Sequence, residues 1–341
     1  MERALHKVLD EYGAAIEKEI ANYFKDKHRD AGYHEFIAHV YRSLEDYVLR
    51  KGTRLASCCT LLIYKGYKNG VDDAIAKVCA GIELYRHAIL IHDDLVDRDE
   101  LRRGEASFHK LFGVLPERFG DSVGMFAGNI LYSLAVDCIL KSRFEQGLLR
   151  ESIMVLNREY GNVNESQMLD VLFEYHEPDE TEWYQMASKR AASLFQAAML
   201  IGAMLSNAPE SEKEILRNLA EHMGYALDIR DDIIGTFATR EEYGREPLGD
   251  ITLFKKPLQL IYTLTYAEQG VVHDMRAMLK SGDIEGVKAI IREYGLARAK
   301  DTAREHAAHA ITLIDQTAMQ DEVKQFFRAL LRYSSESLDS Y

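Results

Sequence analysis

The stretch AILIHDDLVD at residues 88–97 runs from an apolar segment directly into three aspartates. Asp93 and Asp97 are four residues apart, which places them on one face of a helix, about one turn from each other. Like charges at this spacing repel by a few tenths of a kcal/mol, and here they continue a helix face that has just been apolar. A helix end exposed to solvent, with nearby arginines as partners, is one interpretation. A binding site for a cation is the other.

A second acidic cluster favours the interpretation as a cation-binding site. The segment YALDIRDDIIG at 225–235 places Asp228, Asp231 and Asp232 at positions i, i+3 and i+4, again on one helix face and among apolar residues. Hard oxygen ligands with room for water suit Mg²⁺, which binds a few carboxylates together with substrate phosphates. In a helical bundle, facing helices aim such groups into a shared cavity. The two clusters therefore predict a magnesium site between two helices.

Basic residues near both clusters indicate what the metal would bind. The segment LRRG at 101–104 follows the first cluster, Lys189 lies in the small-residue segment ASKRAASLFQAAM, and Lys255 and Lys256 follow LGDITLF. Each of these alone is typical of a charged surface. Together with two acidic stripes they favour a polyanion held between metal ions and cationic side chains.

The rest of the chain predicts an all-α fold. Only 5 of 341 residues are proline, 47% are apolar, and apolar residues recur at spacings of three and four almost throughout. We expect one domain over 1–341, an orthogonal bundle of ten or more helices around a central cavity. An N-terminal helix is expected over 1–30 and a flexible tail over 334–341.

Charge and cysteine usage limit the partners and the compartment. The net charge of −13 argues against a nucleic-acid partner, because surfaces that neutralise phosphates are basic. No uninterrupted apolar run reaches the roughly 18 residues of a membrane span, so no membrane span is expected. The four cysteines lie in apolar stretches without CxxC spacing, which favours core thiols and a reducing, cytoplasmic location.

With these motifs in place, the chain resembles the trans-prenyl diphosphate synthases, which have the isoprenoid synthase fold. DDLVDRDELRRG at 93–104 is similar to the first aspartate-rich motif of that family and its trailing arginine pair, and DIRDDIIG is similar to the second. ESQMLD at 165–170 and GDITLFKKP at 249–257 resemble two further segments of the family. The resemblance covers roughly residues 45–260 and implies a prenyltransferase, usually a homodimer.

The resemblance implies a role for each matching residue. It implies Mg²⁺ as cofactor, with three ions when substrate is bound, held by Asp93, Asp97 and Asp231, with Asp94 and Asp232 in support. It implies that the diphosphate of the allylic substrate is bound by Arg102, Lys189 and Lys255. The implied catalytic residues are Asp93, Asp97, Arg102, Lys189, Asp231 and Lys255.

Further roles concern water and the second substrate. Gln167 and Asp170 would order metal-bound water, and Arg103 would hold isopentenyl diphosphate. The chain departs from the family pattern in the residues that would bind this second substrate. Thr53 and Ala56 stand where the family has a Lys and an Arg, although Lys51 and Arg54 lie two residues earlier and could substitute.

Other departures lie close to the motifs. Arg86 replaces the isopentenyl-binding His, Arg190 replaces a Thr, Asp228 replaces a Gln, and Gly235 replaces the third Asp of the second motif. Three functions stay open. In the first, Lys51, Arg54, Arg86 and Arg103 rebuild the second diphosphate pocket and the protein elongates prenyl chains. In the second, a terpene synthase-like enzyme ionises a prenyl diphosphate without isopentenyl diphosphate. In the third, the chain is a non-catalytic subunit of a hetero-oligomeric synthase.

Residues just before the first motif bear on product length. In the resembling family this segment forms the floor of the cavity for the growing chain. Ala88 and Ile89 lie five and four residues before Asp93, and Tyr85 lies eight before. A small Ala88 would let the chain pass and Tyr85 would stop it, which predicts a C20 to C25 product. Simple core packing of Tyr85 is the alternative.

Overall fold

The structure is a computed structural model that describes residues 2–68, 73–113, 116–239, 249–253 and 255–341. Helices make up nearly all of this part of the chain. The helices of the first half are α1 (Glu2–Ala31), α2 (Glu35–Leu49), α3 (Leu55–Tyr67), α4 (Asp73–Val96), α5 (Phe108–Leu111), α6 (Glu117–Leu140) and α7 (Gln146–Tyr175). Those of the second half are α8 (Glu180–Leu205), α9 (Glu210–Phe237), α10 (Gly249–Thr252), α11 (Leu258–Tyr266), α12 (Gln269–Ser281), α13 (Ile284–Ile291), α14 (Ala297–Gln316) and α15 (Asp321–Glu336). The all-α prediction is confirmed.

A small hairpin interrupts the helices after α4. Its two strands, β1 (Leu101–Arg102) and β2 (Glu105–Ala106), pair antiparallel. The turn between them consists of Arg103 at φ 57° and Gly104 at φ 79°. Two residues with positive φ suit the tight turn of a two-residue hairpin loop. The sequence shows no alternating strand pattern here because each strand is only two residues long.

Contacts group the chain into two compact units. The first comprises Met1–Asn157, Ala197–Lys213 and Ala318–Lys324, and the second comprises Arg158–Gln196, Glu214–Thr317 and Gln325–Tyr341. Each unit is described by itself below. The single domain over 1–341 and its central cavity stay predictions.

In the first unit, α4 and α6 pack at close range. A Cβ at Gly81 of α4 would lie 2.5 Å from Ile139, and a Cβ at Gly128 of α6 would lie 2.2 Å from the His92 ring. The two glycines therefore permit an approach that any larger residue would block. His92 also contacts the Met125 carbonyl oxygen at 3.1 Å. The close packing fixes the end of α4 that carries the first acidic motif.

The apolar composition of α6 bears on the prediction that the chain has no membrane span. Among the described helices, α6 has the length and hydropathy that would allow it to cross a membrane, and 44% of its most apolar window is buried inside the protein. A core helix of a soluble protein passes the same test. The absence of a membrane span therefore stays a prediction.

In the second unit, an apolar core includes the C-terminal segment. Leu338 is fully buried in a cluster with Trp183, Met186 and Ile229, and Tyr341 packs against the same cluster. Leu338 lies within the predicted flexible tail at 334–341, and the flexibility of that segment stays a prediction. Here α15 continues to Glu336 and a 3₁₀ turn follows over Ser337–Ser340, and burial of Leu338 favours this position of the segment.

Candidate active site

The first acidic motif lies at the C-terminal end of α4. Asp93 and Asp94 belong to the last turns of the helix, and the backbone N–H of Asp97 still donates to the Asp93 carbonyl at 2.9 Å. Asp93 and Asp97 are both partly exposed, whereas Asp94 is fully buried. The structure thus brings the Asp93 and Asp97 side chains to one helix end, one turn apart, as the sequence predicts.

The hairpin returns Arg102 to this helix end. The Arg102 guanidinium donates to Asp94 Oδ1 at 2.6 Å through Nε and to Asp93 Oδ2 at 3.1 Å through Nη2. Tyr47 donates to the other oxygen of Asp94 at 2.7 Å. Burial opposes the charge of Arg102, but Asp94 and Asp93 outweigh it and raise the Arg102 pKa well above its usual value. Asp94 therefore supports the motif by holding Arg102, and it offers no exposed oxygen of its own to a metal.

Mg²⁺ fits this cluster by its donor chemistry. Asp93 and Asp97 present hard carboxylate oxygens at partly exposed positions. Within the described ranges, no three side chains of Asp, Glu, His or Cys converge closely enough to hold a metal by themselves. Mg²⁺ commonly binds to one or two carboxylates and takes its remaining ligands from water and substrate phosphates. The residues present are therefore sufficient for Mg²⁺ that arrives with a diphosphate.

A cationic cluster lies on the other side of the hairpin turn. The Arg103 guanidinium donates to the Arg50 carbonyl oxygen at 2.9 Å. Burial and the neighbouring guanidinium groups of Arg86 and Arg54 lower the pKa of Arg103 to about 10. A Cβ at Gly52 would lie 2.6 Å from Arg103 Cζ, so glycine allows the chain to pass over the guanidinium. Arg103 is thus held by a carbonyl oxygen beside two other guanidinium groups, an arrangement that favours the binding of an anion.

Arg54, which is predicted to bind substrate, is buried in the structure. It is 1% exposed, and its guanidinium donates to the carbonyl oxygens of Val48 and Arg50 at 2.7 Å each. It also contacts the carboxylates of Glu17 at 3.0 Å and Glu83 at 3.2 Å. These contacts use all three guanidinium nitrogens, so Arg54 is corrected to a structural residue that fixes the turn before α3.

The other two predicted residues of this pocket remain accessible. Lys51 is exposed, and Arg86 is about a quarter exposed with one nitrogen 3.6 Å from Glu83 Oε1. Arg54 still acts on the pocket indirectly, because the Arg50 carbonyl that it binds also accepts from Arg103. The accessible cations of this cluster are therefore Lys51, Arg86 and Arg103.

The residues predicted to set product length are buried to different degrees. Tyr85 and Ala88 are fully buried, whereas Ile89 is partly exposed. The Tyr85 ring lies edge-on to Tyr132 of α6, with 6.2 Å between the ring centroids. This packing is compatible with a cavity floor and with ordinary core packing, so the role of Tyr85 stays a prediction.

The second acidic motif lies on α9, in the second compact unit. Asp231 is the most exposed of its three aspartates, at 69% of its side chain, and its Oδ1 lies 2.9 Å from Arg230. Arg230 in turn donates to Ser337 Oγ at 2.8 Å, so the C-terminal segment supports the motif. Asp228 and Asp232 are less exposed and face a single guanidinium, that of Arg190 on α8. The expectation that this motif shares a cavity with the first stays a prediction.

Arg190 bridges three carboxylates. Its nitrogens lie 2.6 Å from Asp228, 3.2 Å from Asp170 and 3.6 Å from Asp232. Burial lowers the Arg190 pKa, but Asp228, Asp232 and Asp170 outweigh burial and raise it well above its usual value. The sequence marks Arg190 and Asp228 only as two separate departures, and the structure shows that they form one ion pair.

Two of the predicted lysines pair with carboxylates of α7. Lys255 Nζ lies 3.0 Å from Asp170 Oδ2, and Lys189 pairs with Glu165. Gln167 is partly exposed on α7. Asp170 is only 5% exposed and pairs with both Arg190 and Lys255, so it positions two cations. Its predicted role in ordering metal-bound water stays a prediction. Phe254 and the Asp250 side chain, in the segment before Lys255, lie outside the described residues.

Sequence reasoning missed several supporting residues. Tyr47, Arg50 and Glu83 carry no motif signal, yet each holds a residue of the first half-site. Arg50 also binds the hairpin, through the Ala106 carbonyl at 2.7 Å and Glu105 at 3.2 Å. A charged residue such as Glu83 within an apolar stretch is the one signal that could have identified a buried partner.

Comparisons with known proteins agree with these motifs. The polyprenyl synthetase family model matches residues 37–294. The short chain isoprenyl diphosphate synthase of Methanocaldococcus jannaschii is 26% identical over 225 residues, which cover 66% of each chain. The geranylfarnesyl diphosphate synthase of Aeropyrum pernix is 29% identical over 294 residues, 84% of this chain and 90% of that relative.

Solved structures share the fold. Geranylgeranyl pyrophosphate synthase from Corynebacterium glutamicum, complexed with isoprenyl diphosphate and magnesium, has a TM-score of 0.90 at 20% identity and covers 96% of this chain and 99% of its own. The Pyrococcus horikoshii geranylgeranyl pyrophosphate synthetase has a TM-score of 0.84, also at 20% identity, and covers 98% and 99%. The match of the family model over most of the chain, with both acidic motifs inside it, shows that the chain belongs to the polyprenyl synthetase family and is a transferase.

Proposed function

We propose that the protein condenses an allylic prenyl diphosphate with isopentenyl diphosphate, with Mg²⁺ as cofactor, to give a longer all-trans prenyl diphosphate. The observation that carries the proposal is the second group of cations, Arg103 and Arg86. An enzyme that only ionises a prenyl diphosphate has one diphosphate to bind, and Arg102, Lys189 and Lys255 serve it. Arg103, which a backbone carbonyl oxygen holds beside other guanidinium groups, and the partly exposed Arg86 support a second anionic substrate.

The chemistry follows from these side chains. Asp93, Asp97 and Asp231, with Asp94 and Asp232 in support, would hold Mg²⁺, which supplies charge neutralisation to the leaving diphosphate. Arg102, Lys189 and Lys255 donate to the oxygens on which charge develops as the C–O bond breaks, so they stabilise the transition state more than the ground state.

The second substrate then reacts with the allylic cation. Arg103, Arg86 and Lys51 fix the diphosphate of isopentenyl diphosphate, which orients its double bond for attack. Apolar surroundings protect the cation from water. The proton lost after attack goes to the released diphosphate, so no side-chain base is required.

For the product we propose a chain of C20 to C25. One relative is a geranylfarnesyl diphosphate synthase and others are geranylgeranyl diphosphate synthases, which supports this range. We propose Tyr85 as the floor, with Ala88 and Ile89 beside the path of the chain. Tyr85→Ala should lengthen the product, as measured by chromatography of the dephosphorylated prenols. An unchanged length distribution would remove Tyr85 from this role.

We further propose that the protein is a cytoplasmic homodimer. Met125 and Phe126 of α6 and Met154 of α7 are large apolar side chains that are exposed by 43%, 58% and 64%. A second copy would cover them. Four buried free cysteines support a reducing compartment. Sedimentation velocity should give twice the chain mass, and Phe126→Glu should shift it to the monomer.

The deciding experiment uses purified protein with Mg²⁺, an allylic diphosphate and labelled isopentenyl diphosphate. We expect label in a longer prenyl diphosphate. Consumption of the allylic substrate to hydrocarbon or alcohol without label would instead support the terpene synthase-like function. If neither substrate is consumed, the protein is better described as a subunit of a hetero-oligomeric synthase.

A further inference from the structure

Arg50 follows the last residue of α2, and its side chain is only 6% exposed. The guanidinium contacts the hairpin, because Nη1 donates to the Ala106 carbonyl oxygen at 2.7 Å and Nε lies 3.2 Å from Glu105 Oε2. It also lies over the Tyr47 ring, 4.9 Å from the ring centroid. The Arg50 carbonyl oxygen accepts from Arg103 at 2.9 Å. Arg50 therefore contacts both the second strand and the turn of the hairpin.

The hairpin depends on such contacts because it is very short. Each strand has two residues, with Leu101 opposite Ala106 and Arg102 opposite Glu105. A two-stranded hairpin on its own is at best marginally stable in water. The hairpin carries Arg102 in its first strand and Arg103 in its turn. The positions of both guanidinium groups therefore depend on what holds the hairpin against the helices.

The contacts between the hairpin and α4 belong to the proposed active site itself. Arg102 binds Asp93 and Asp94, whereas the proposed mechanism assigns Asp93 to Mg²⁺ and Arg102 to a diphosphate. These side chains must exchange contacts when substrate and metal bind. The two groups of β2 that Arg50 contacts have no role in that mechanism. The contacts of Arg50 can therefore persist in the complex with substrates.

A guanidinium suits this arrangement, because its plane can stack on an aromatic ring while its edge donates N–H groups. We propose that Arg50 is a positioning residue for both substrates, which anchors the hairpin and so holds Arg102 for the allylic diphosphate and Arg103 for isopentenyl diphosphate. Arg50 itself contacts neither substrate. The inference rests on the proposed function, which assigns the two arginines of the hairpin to two different diphosphates.

Substitution of Arg50 should weaken the binding of both substrates. Arg50→Met keeps an unbranched side chain against Tyr47 but removes the donors to the hairpin. Each diphosphate must then order a looser hairpin when it binds, so we expect both KM values to rise about tenfold. Steady-state kinetics with each substrate varied in turn measures them. A rise in only one KM value, or in neither, would overturn the inference.

Two further variants provide a control and a milder change. Arg298→Met removes another guanidinium that lies over a tyrosine, 3.8 Å from the Tyr266 ring centroid, and should leave both KM values unchanged. Glu105→Gln removes the charge of a hairpin side chain that is 65% exposed, and should raise both KM values about twofold. If Arg50→Met does not fold, unchanged KM values in Glu105→Gln would overturn the inference.

Hydrogen exchange of the free protein reports on the hairpin without any substrate. Amides of residues 100–107 should exchange about tenfold faster in Arg50→Met than in the unsubstituted protein, with the exchange of α4 unchanged. Equal exchange in the hairpin would overturn the inference alone, whether or not the protein is active. If the unsubstituted protein consumes neither substrate, the proposed function fails, and faster exchange would then make Arg50 an anchor of the fold only.

Discussion

Arg54 in the first compact unit and Arg190 in the second are both guanidinium groups with little exposure, and both lie where the chain departs from its family pattern. Arg54 donates to the backbone carbonyl oxygens of Val48 and Arg50 as well as to two carboxylates. Arg190 contacts carboxylates of the acidic half-site. Both arginines are largely buried, so burial alone does not distinguish their roles. The acceptors do: backbone carbonyl oxygens indicate that Arg54 stabilises the fold, whereas carboxylates of the acidic motif indicate that Arg190 acts on the site.

Removal of the buried partner of Arg54 should have the largest effect on stability. Glu83 is fully buried and contacts Arg54 at 3.2 Å and Ser57 at 2.8 Å. Glu83→Gln removes the buried carboxylate beside Arg54 and leaves it only the partly exposed Glu17 as an ionic partner, which should lower the free energy of unfolding by about 3 kcal/mol. Urea unfolding measures it. The matched control Glu177→Gln, at an exposed pair with Arg276, should change stability by less than about 1 kcal/mol. Similar losses in both variants would break the comparison.

The histidine beside Glu83 should make this region sensitive to acid. Burial lowers the pKa of His87 to about 3, whereas an unfolded His titrates near 6.5. In acid the unfolded chain therefore binds a proton that the folded chain does not bind. Stability is lost as the pH falls from about 6.5 toward 3. Through this group alone the loss at pH 4.5 should reach about 3 kcal/mol. His87→Gln should flatten the slope of urea midpoints between pH 7 and 4.5, and an unchanged slope would contradict the assignment.

Substitution of Arg103, unlike that of the partners of Arg54, should mainly affect the binding of isopentenyl diphosphate. Arg103→Ala removes a donor from the second diphosphate and should raise the KM for isopentenyl diphosphate at least tenfold, about 1.4 kcal/mol, with little change in the KM of the allylic substrate. Steady-state kinetics with each substrate varied in turn measures it. Lys51→Ala, at an exposed position, should have a smaller effect. Equal changes in both KM values would show that Arg103 serves the fold, as Arg54 does.

The smallest effect should come from the neighbours of Arg190. Asp228→Asn keeps an acceptor for Arg190, and Asp170 and Asp232 still compensate its charge. We expect a loss of about 1 kcal/mol in the free energy of unfolding, well below that of Glu83→Gln. A loss as large as that of Glu83→Gln would make Arg190 structural and remove the contrast between the two arginines.

The sequence predicts much of this arrangement from local rules. Helical spacing places Asp93 with Asp97 and Asp228 with Asp232, because residues four apart share a helix face whatever the tertiary structure. It does not predict that Arg54 turns inward, because this depends on where the carbonyl oxygens of Val48 and Arg50 point after folding. The ion pair of Arg190 with Asp228 joins residues 38 positions apart, and spacing within one helix carries no information on such a contact. Leu338 likewise looks like part of a polar tail until its core partners are known.

We propose that both acidic motifs are needed for one chemical step, the ionisation of the allylic diphosphate. Single-turnover rates of prenyl transfer in Asp93→Asn, Asp231→Asn and the combined variant test it most directly. Each single variant should slow the step by about 10²–10³-fold, and the combined variant should lose much less than the product of the two. An unchanged rate in either single variant, or losses that multiply in full, would contradict the account.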